Sequence, residues 1–173
     1  MAITTKCGYV DRGFGQVEPN HLSAQRTAQI YAQLPMGVDM LENGQFAKYN
    51  YEAGVVNFAG DSEWMLVYNA VKIYGDDETE ADFVMVKPGE GDAKAPIVGV
   101  STDVVPRLFK TNVGDIFTTN AIADEEVELG NILAPNAEGI LAVNEGATGM
   151  KWQVVKVYTM PDGQKGVKIM RIA

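Results

Sequence analysis

The chain has 173 residues, 46% of them hydrophobic, with 14 basic against 23 acidic side chains and a formal charge of −9. That length suits one domain, or one domain plus an arm, and buries about 70% of the unfolded surface without staples. The acidic balance with scattered Lys and Arg speaks against nucleic-acid and anionic-lipid partners, and no apolar run reaches membrane-spanning length.

The single cysteine, Cys7, has no internal partner, which fits folding in a reducing cytoplasm. Residues 1–8 carry no apolar run, so no signal peptide is read there. From residue 1 to about 20, Gly8, Gly13 and Gly15 alternate with Tyr9, Val10, Phe14 and Val17 without helical or strand period. This reads as an extended arm whose aromatics lie along a surface, its own or a partner's. Deleting residues 1–19 is expected to leave the melting of the remaining domain nearly unchanged. Asn20 to Leu34 reads as the one helix, capped by Asn20 or Ser23 and stopped by Pro35. Its apolar stripe of Leu22, Ile30, Tyr31 and Leu34 is narrow, as in a helix that packs weakly on its own domain or orders against another chain.

From about Leu41 the pattern is β. Trp64–Tyr74 reads as a long strand with apolar residues on both faces, buried on both sides, and Phe83–Lys87 as its hairpin partner. Ile97–Val100 and Val104–Phe109 read as shorter strands, the second placed at a sheet edge by Pro106. Three glycine-led segments follow: Val113–Ala121, its echo Leu129–Ala137 sixteen positions later, and a looser copy at Gly139–Asn144. Each is a glycine turn feeding a short apolar strand that an Asn ends. Trp152–Met160 and Gly166–Ile172 form a hairpin around Pro161-Asp162-Gly163, where proline presets φ and glycine accepts a positive one. The fold class is therefore mainly β, an antiparallel barrel or sandwich, with an arm and helix over residues 1–35 and a β domain over 36–173. Trp64 and Trp152 are expected in its core.

Chemistry is sparse. His21, the only histidine, stands at the predicted helix start, away from any nucleophile elbow, and reads as exposed. The acidic run Gly75–Asp82 does not have the spacing of a calcium loop and reads as a solvated hairpin tip, with a weak cation site as the alternative. One Cys and one His leave no zinc set. Gly13-Phe14-Gly15 and Gly89-Glu90-Gly91 have no following Lys or helix start to cradle phosphate. No catalytic, metal or cofactor residue is assigned, and the chain reads as a non-enzyme. Carboxylates assembled from distant strands, as in glycosidases, are the loophole.

An arm with isolated aromatics, one weak helix and then an acidic, glycine-punctuated β domain resemble small structural proteins of tailed-bacteriophage heads. The Val113–Ala137 pattern and the Trp152–Ile172 hairpin are similar to the β-barrel or β-tulip domains of capsid decoration (cement) proteins, over roughly residues 50–173. That resemblance implies a homo-oligomeric virion protein on the capsid surface, binding the major capsid protein and reinforcing the shell. Tyr9, Val10, Phe14, Val17 and Tyr31 are the expected partner-binding residues. A head-fibre, neck or tail component is the nearest alternative. A carbohydrate-binding module or small glycan-active enzyme is the alternative from another class.

Overall fold

The computed structural model describes residues 15–69, 84–86, 105–123, 126–161 and 163–173. In chain order these form β1 (Val17–His21), a single helical turn α1 (Ala24–Thr27), β2 (Ile30–Tyr31), β3 (Met40–Glu42), β4 (Phe46–Asn50), β5 (Val55–Asn57) and β6 (Met65–Val67). Then come β7 (Val84–Val86), β8 (Leu108–Phe109), β9 (Ile116–Thr119), β10 (Ile132–Pro135), β11 (Leu141–Val143), β12 (Trp152–Thr159) and β13 (Lys165–Arg171). A six-stranded sheet runs β1-β9-β13-β12-β10-β11, a five-stranded sheet runs β2-β8-β6-β4-β5, and β3 pairs with β7. Every strand pairing is antiparallel. The fold is mainly β and sandwich-like, and neither sheet closes on itself.

Alternation along the strands explains the layering. On the five-stranded sheet, Phe46, Leu66 and Phe109 face one way and join Phe117, Leu133, Trp152, Val154, Val167 and Ile169 of the six-stranded sheet in one buried cluster. Their neighbours Ala47, Tyr49, Met65, Val67 and Leu108, with Val56 of β5, face the other way and pack with Met36 and Leu41. The five-stranded sheet is thus buried on both faces, as the continuous apolar run from Met65 to Val67 requires. Two outer strands are covered rather than left open. A parallel bridge from Ile122 meets Leu141 on β11, and one from Met36 meets Val56 on β5. On β1, Pro19 removes one donor from the remaining edge of the six-stranded sheet.

The sequence expectations fare unevenly. The closing hairpin forms as expected, β12 against β13, with Met160 N–H donating to the Gln164 carbonyl at 2.7 Å and Gly163 at φ 87°. Replacing Gly163 by Val is expected to cost about 1–2 kcal/mol in a urea melt, entirely from backbone strain, because a Cβ there meets nothing within 4 Å. Unchanged stability would mean that the positive φ is not required.

The helix expected over Asn20–Leu34 is only Ala24–Thr27. Ala28 turns left-handed at φ 56°, and Ile30 and Tyr31 pair with Phe109 and Leu108. Strand pairing over a core outweighs the helix propensity of the Ala and Gln residues. Phe83–Lys87 is not the partner of the Trp64 strand: β7 pairs with β3, and β6 lies between β4 and β8. A strand apolar on both faces is buried best in mid-sheet. For the same reason β8 is interior rather than an edge, and Pro106 precedes it as a buried residue. Trp152 is fully buried, whereas Trp64 is half-buried with the Lys48 ammonium 4.6 Å from its ring centre. Residues 70–74 of the expected strand, the Asp76–Asp82 run, Ile97–Val100, Gly89-Glu90-Gly91 and Cys7 lie outside the described residues.

The last part of the expected arm is built into the sandwich. Gly15 N–H donates to the Glu42 carboxylate at 2.7 Å in a buried contact, Gln16 N–H to Asn120 Oδ1 at 2.7 Å, and β1 then pairs along β9. Deleting residues 1–19 is therefore expected to destabilise the domain rather than leave its melting nearly unchanged. It strips donors from the buried Glu42 and Asn120 side chains and is expected to cost about 2–4 kcal/mol. Deleting residues 1–13 keeps both bonds. Denaturant melts of the two truncations separate the cases, and equal midpoints would contradict the role of β1.

Candidate interaction surface

Of the expected partner-binding residues, Tyr9, Val10 and Phe14 lie outside the described residues. Val17 is half-buried on β1 and packs against the inter-sheet core. Tyr31 is half-buried on β2 and meets Tyr49 edge-on, ring centres 5.9 Å apart at 81°. Both spend apolar surface on their own fold. His21 is exposed at the end of β1.

The polar clusters that could carry chemistry act as fasteners. Asp115 accepts from Ser23 N–H, Ser23 Oγ and Asn112 N–H, each at 2.9 Å, tying the start of α1 to the turn before β9. Buried Asn120 donates to Gln164 at 2.7 Å, joining β9 to the closing hairpin. Burial pushes the Tyr158 phenol above its ordinary value; the hydrogen bond with Thr118 opposes that shift, and donation to Glu18 at 2.9 Å adds to it. Burial lowers Arg171, against the pull of Glu63 and Asp115, and its guanidinium donates to the carbonyl and hydroxyl of Thr111. Lys110 is raised by its hydrogen bond and charge pairing with Glu63, at 2.9 Å.

The turn before β9 is one of three copies of a single device. In Glu42–Gln45, Asn112–Asp115 and Glu128–Asn131 the fourth N–H donates to the first carbonyl, at 3.3, 3.0 and 3.2 Å. The fourth side chain accepts in return from the first N–H, at 2.7, 2.9 and 2.8 Å. Glycine holds the third position each time, at φ 92°, 95° and 92°, the positive φ of a type II turn. Each glycine N–H donates to a neighbouring carbonyl, of Val67, Arg171 or Val154, and that residue's N–H donates back to the fourth carbonyl. A strand starts directly after each turn. Two members of the echoed sequence pattern therefore match, and the third is Gly44. Gly139 shares instead the geometry of Gly163, with Asn136 N–H donating to the Ile140 carbonyl and Gly139 N–H to that of Asn136. The spacing of Gly44, Gly114 and Gly130 from Asn50, Asn120 and Asn136 is the sequence signal that groups the three.

The second position of this turn is its tip, and there polarity is inverted. The buried copy carries a polar residue, Asn43, 4% exposed, whose amide donates to the Asn69 carbonyl and accepts from the Asn69 N–H. The exposed copies carry Val113 and Leu129, 68% and 73% exposed. These are apolar groups held rigidly in solvent by bonds on both sides of the turn. Their sequence signal is the apolar residue immediately before Gly114 and Gly130, in the echoed segments but outside the expected binding set.

Among the described residues no group of three or more His, Cys, Asp or Glu side chains is placed to hold a metal ion. No helix among them is long and apolar enough to cross a membrane. The chain matches no family model, no curated protein and no solved structure.

Proposed function

We propose that the chain is a non-enzymatic structural protein that docks on a protein lattice, specifically a decoration protein on the capsid surface of a tailed bacteriophage, with the major capsid protein as partner. The observation that carries the docking reading is the inverted polarity of the repeated turn. Exposed apolar residues on preorganised tips lose little conformational entropy on binding, and each gains about 1.5–3 kcal/mol when fully buried by a partner. Repetition over a lattice, or in a homo-oligomer, multiplies weak contacts. Tyr9, Val10 and Phe14 remain the further partner-binding residues in this reading, upstream of the anchor at Gly15. A glycan-binding module would need an open aromatic platform. Trp152 is buried, Lys48 covers Trp64, and among the described residues Tyr51 alone exposes most of an aromatic ring, too little for a platform, which favours the docking reading.

The test is co-sedimentation with purified heads of the phage that carries the chain. The double variant V113D/L129D is expected to melt like the parent and to lose retention on heads at least about tenfold, a change worth about 1.4 kcal/mol. Removing residues 1–13 is expected to weaken retention independently. Full retention by both variants overturns the reading. Retention on necks or tails instead of heads assigns the alternative virion role.

A further inference from the structure

Beyond the docking tips, a recess of about 290 Å³ opens beside the inter-sheet core, lined by Gln25, Ile30, Tyr68, Arg107 and Phe109. Its wall is aromatic: the rings of Tyr68 and Phe109 lie 5.3 Å apart, tilted by 49°. The Arg107 guanidinium stands 5.3 Å from the Phe109 ring centre. Its backbone is fixed on both sides, by Arg107 N–H donating to Asn69 Oδ1 at 2.8 Å and by Tyr68 N–H donating to the Arg107 carbonyl at 3.1 Å. Among the described residues no carboxylate pairs with this guanidinium. The Tyr68 hydroxyl and the Gln25 amide likewise have no protein partner among them.

We propose that this recess is a binding site for a carboxylate carried on an aromatic body. The ring of such a ligand lies against the half-buried Tyr68 and Ile30, with the buried Phe109 ring backing Tyr68 and Arg107. Its carboxylate meets the planar fork of Arg107, which binds carboxylates with two parallel hydrogen bonds. Tyr68 and Gln25 supply further donors at the rim. The volume lies at the small end of ligand sites, which suits one ring with a short acid chain. The same chemistry is offered by a free aryl acid and by the C-terminal carboxylate of a peptide ending in Phe. This inference does not depend on the docking role.

The experiment is a titration of the ¹⁵N-labelled full chain, followed by amide chemical shifts, with 3-phenylpropionate up to about 10 mM, well above a millimolar dissociation constant. The uncharged 3-phenylpropanamide and the peptide Gly-Gly-Phe are run beside it. Saturable shifts are expected at Ile30, Tyr68, Arg107 and Phe109, with the acid binding at least about tenfold more tightly than the amide. Arg107→Gln is expected to abolish that preference while leaving the rest of the spectrum unchanged, and Arg107→Lys to restore part of it. Tighter binding of Gly-Gly-Phe than of the free acid assigns the source to a peptide terminus, and the reverse order to a small acid. Absence of saturable shifts, or equal binding of acid and amide, overturns the proposal.

Discussion

Replacing Trp152 by Ala is expected to lower the unfolding free energy by about 3–5 kcal/mol, the usual cost of removing a buried Trp. That is a large part of the roughly 5–15 kcal/mol that holds a domain folded. Trp152 is fully buried at the start of β12, between Phe117 of its own sheet, 5.0 Å away at 81°, and Phe46 of the facing sheet, 5.7 Å away at 53°. Its loss removes the ring that bridges the two layers, and neither sheet can close on the space. Nε1 is buried without a hydrogen-bond partner. Trp152→Phe gives up ring volume but also an unpaired donor, so it should cost well under the alanine value. Trp64→Ala, at a half-buried position, should cost about 1 kcal/mol. The readout is the urea midpoint at constant slope. A Trp152→Ala midpoint within about 1 kcal/mol of the parent would mean that the sheets do not share this core.

What the sequence made legible follows the range of the forces involved. Glycine turns are local, so Gly114, Gly130 and Gly163 announce themselves, each at a positive φ next to the strand it starts or joins. Burial on both faces is also local, and Met65–Val67 carries it. Pairing is not local. Nothing around Val84–Val86 states that its partner is Met40–Glu42 rather than the preceding strand, and the choice is made by which faces remain to be covered. The Asn20–Leu34 segment fails for a related reason. Its alanines and glutamines favour a helix, while Ile30 and Tyr31 complete a sheet edge against Leu108 and Phe109. Of the candidate binding residues, Val17 and Tyr31 are apolar groups in weakly patterned segments, and that pattern is weak because their partners are distant in sequence. Val113 and Leu129 are the converse. In the sequence they stand at the glycine turns that feed β9 and β10, and only the turn geometry shows that they are exposed tips.

Glycines with similar dihedral angles should differ in mutational cost according to what lies beside them, and Gly139 is the extreme. Its φ of 72° alone costs an alanine about 1 kcal/mol. A Cβ at Gly139 would also run into the carbonyl oxygen of Phe46, which belongs to the facing sheet. That approach is held by Phe46 N–H donating to the Gly139 carbonyl at 2.6 Å, a backbone contact between the β10–β11 turn and β4. The carbonyl of a strand buried on both faces has no room to retreat, so the turn must lift away and lose the bond. Gly139→Ala is therefore expected to cost at least about 3 kcal/mol, combining strain, overpacking and a lost buried hydrogen bond. Gly114, Gly130 and Gly163 have positive φ but open space around a Cβ, and Ala at any of them should cost about 1 kcal/mol. Denaturant melts of the four alanine variants form one experiment with internal controls. Equal losses across the set would show that the close passage of the turn over β4 contributes nothing, whereas a separate, large loss at Gly139 would locate the joint between the two sheets.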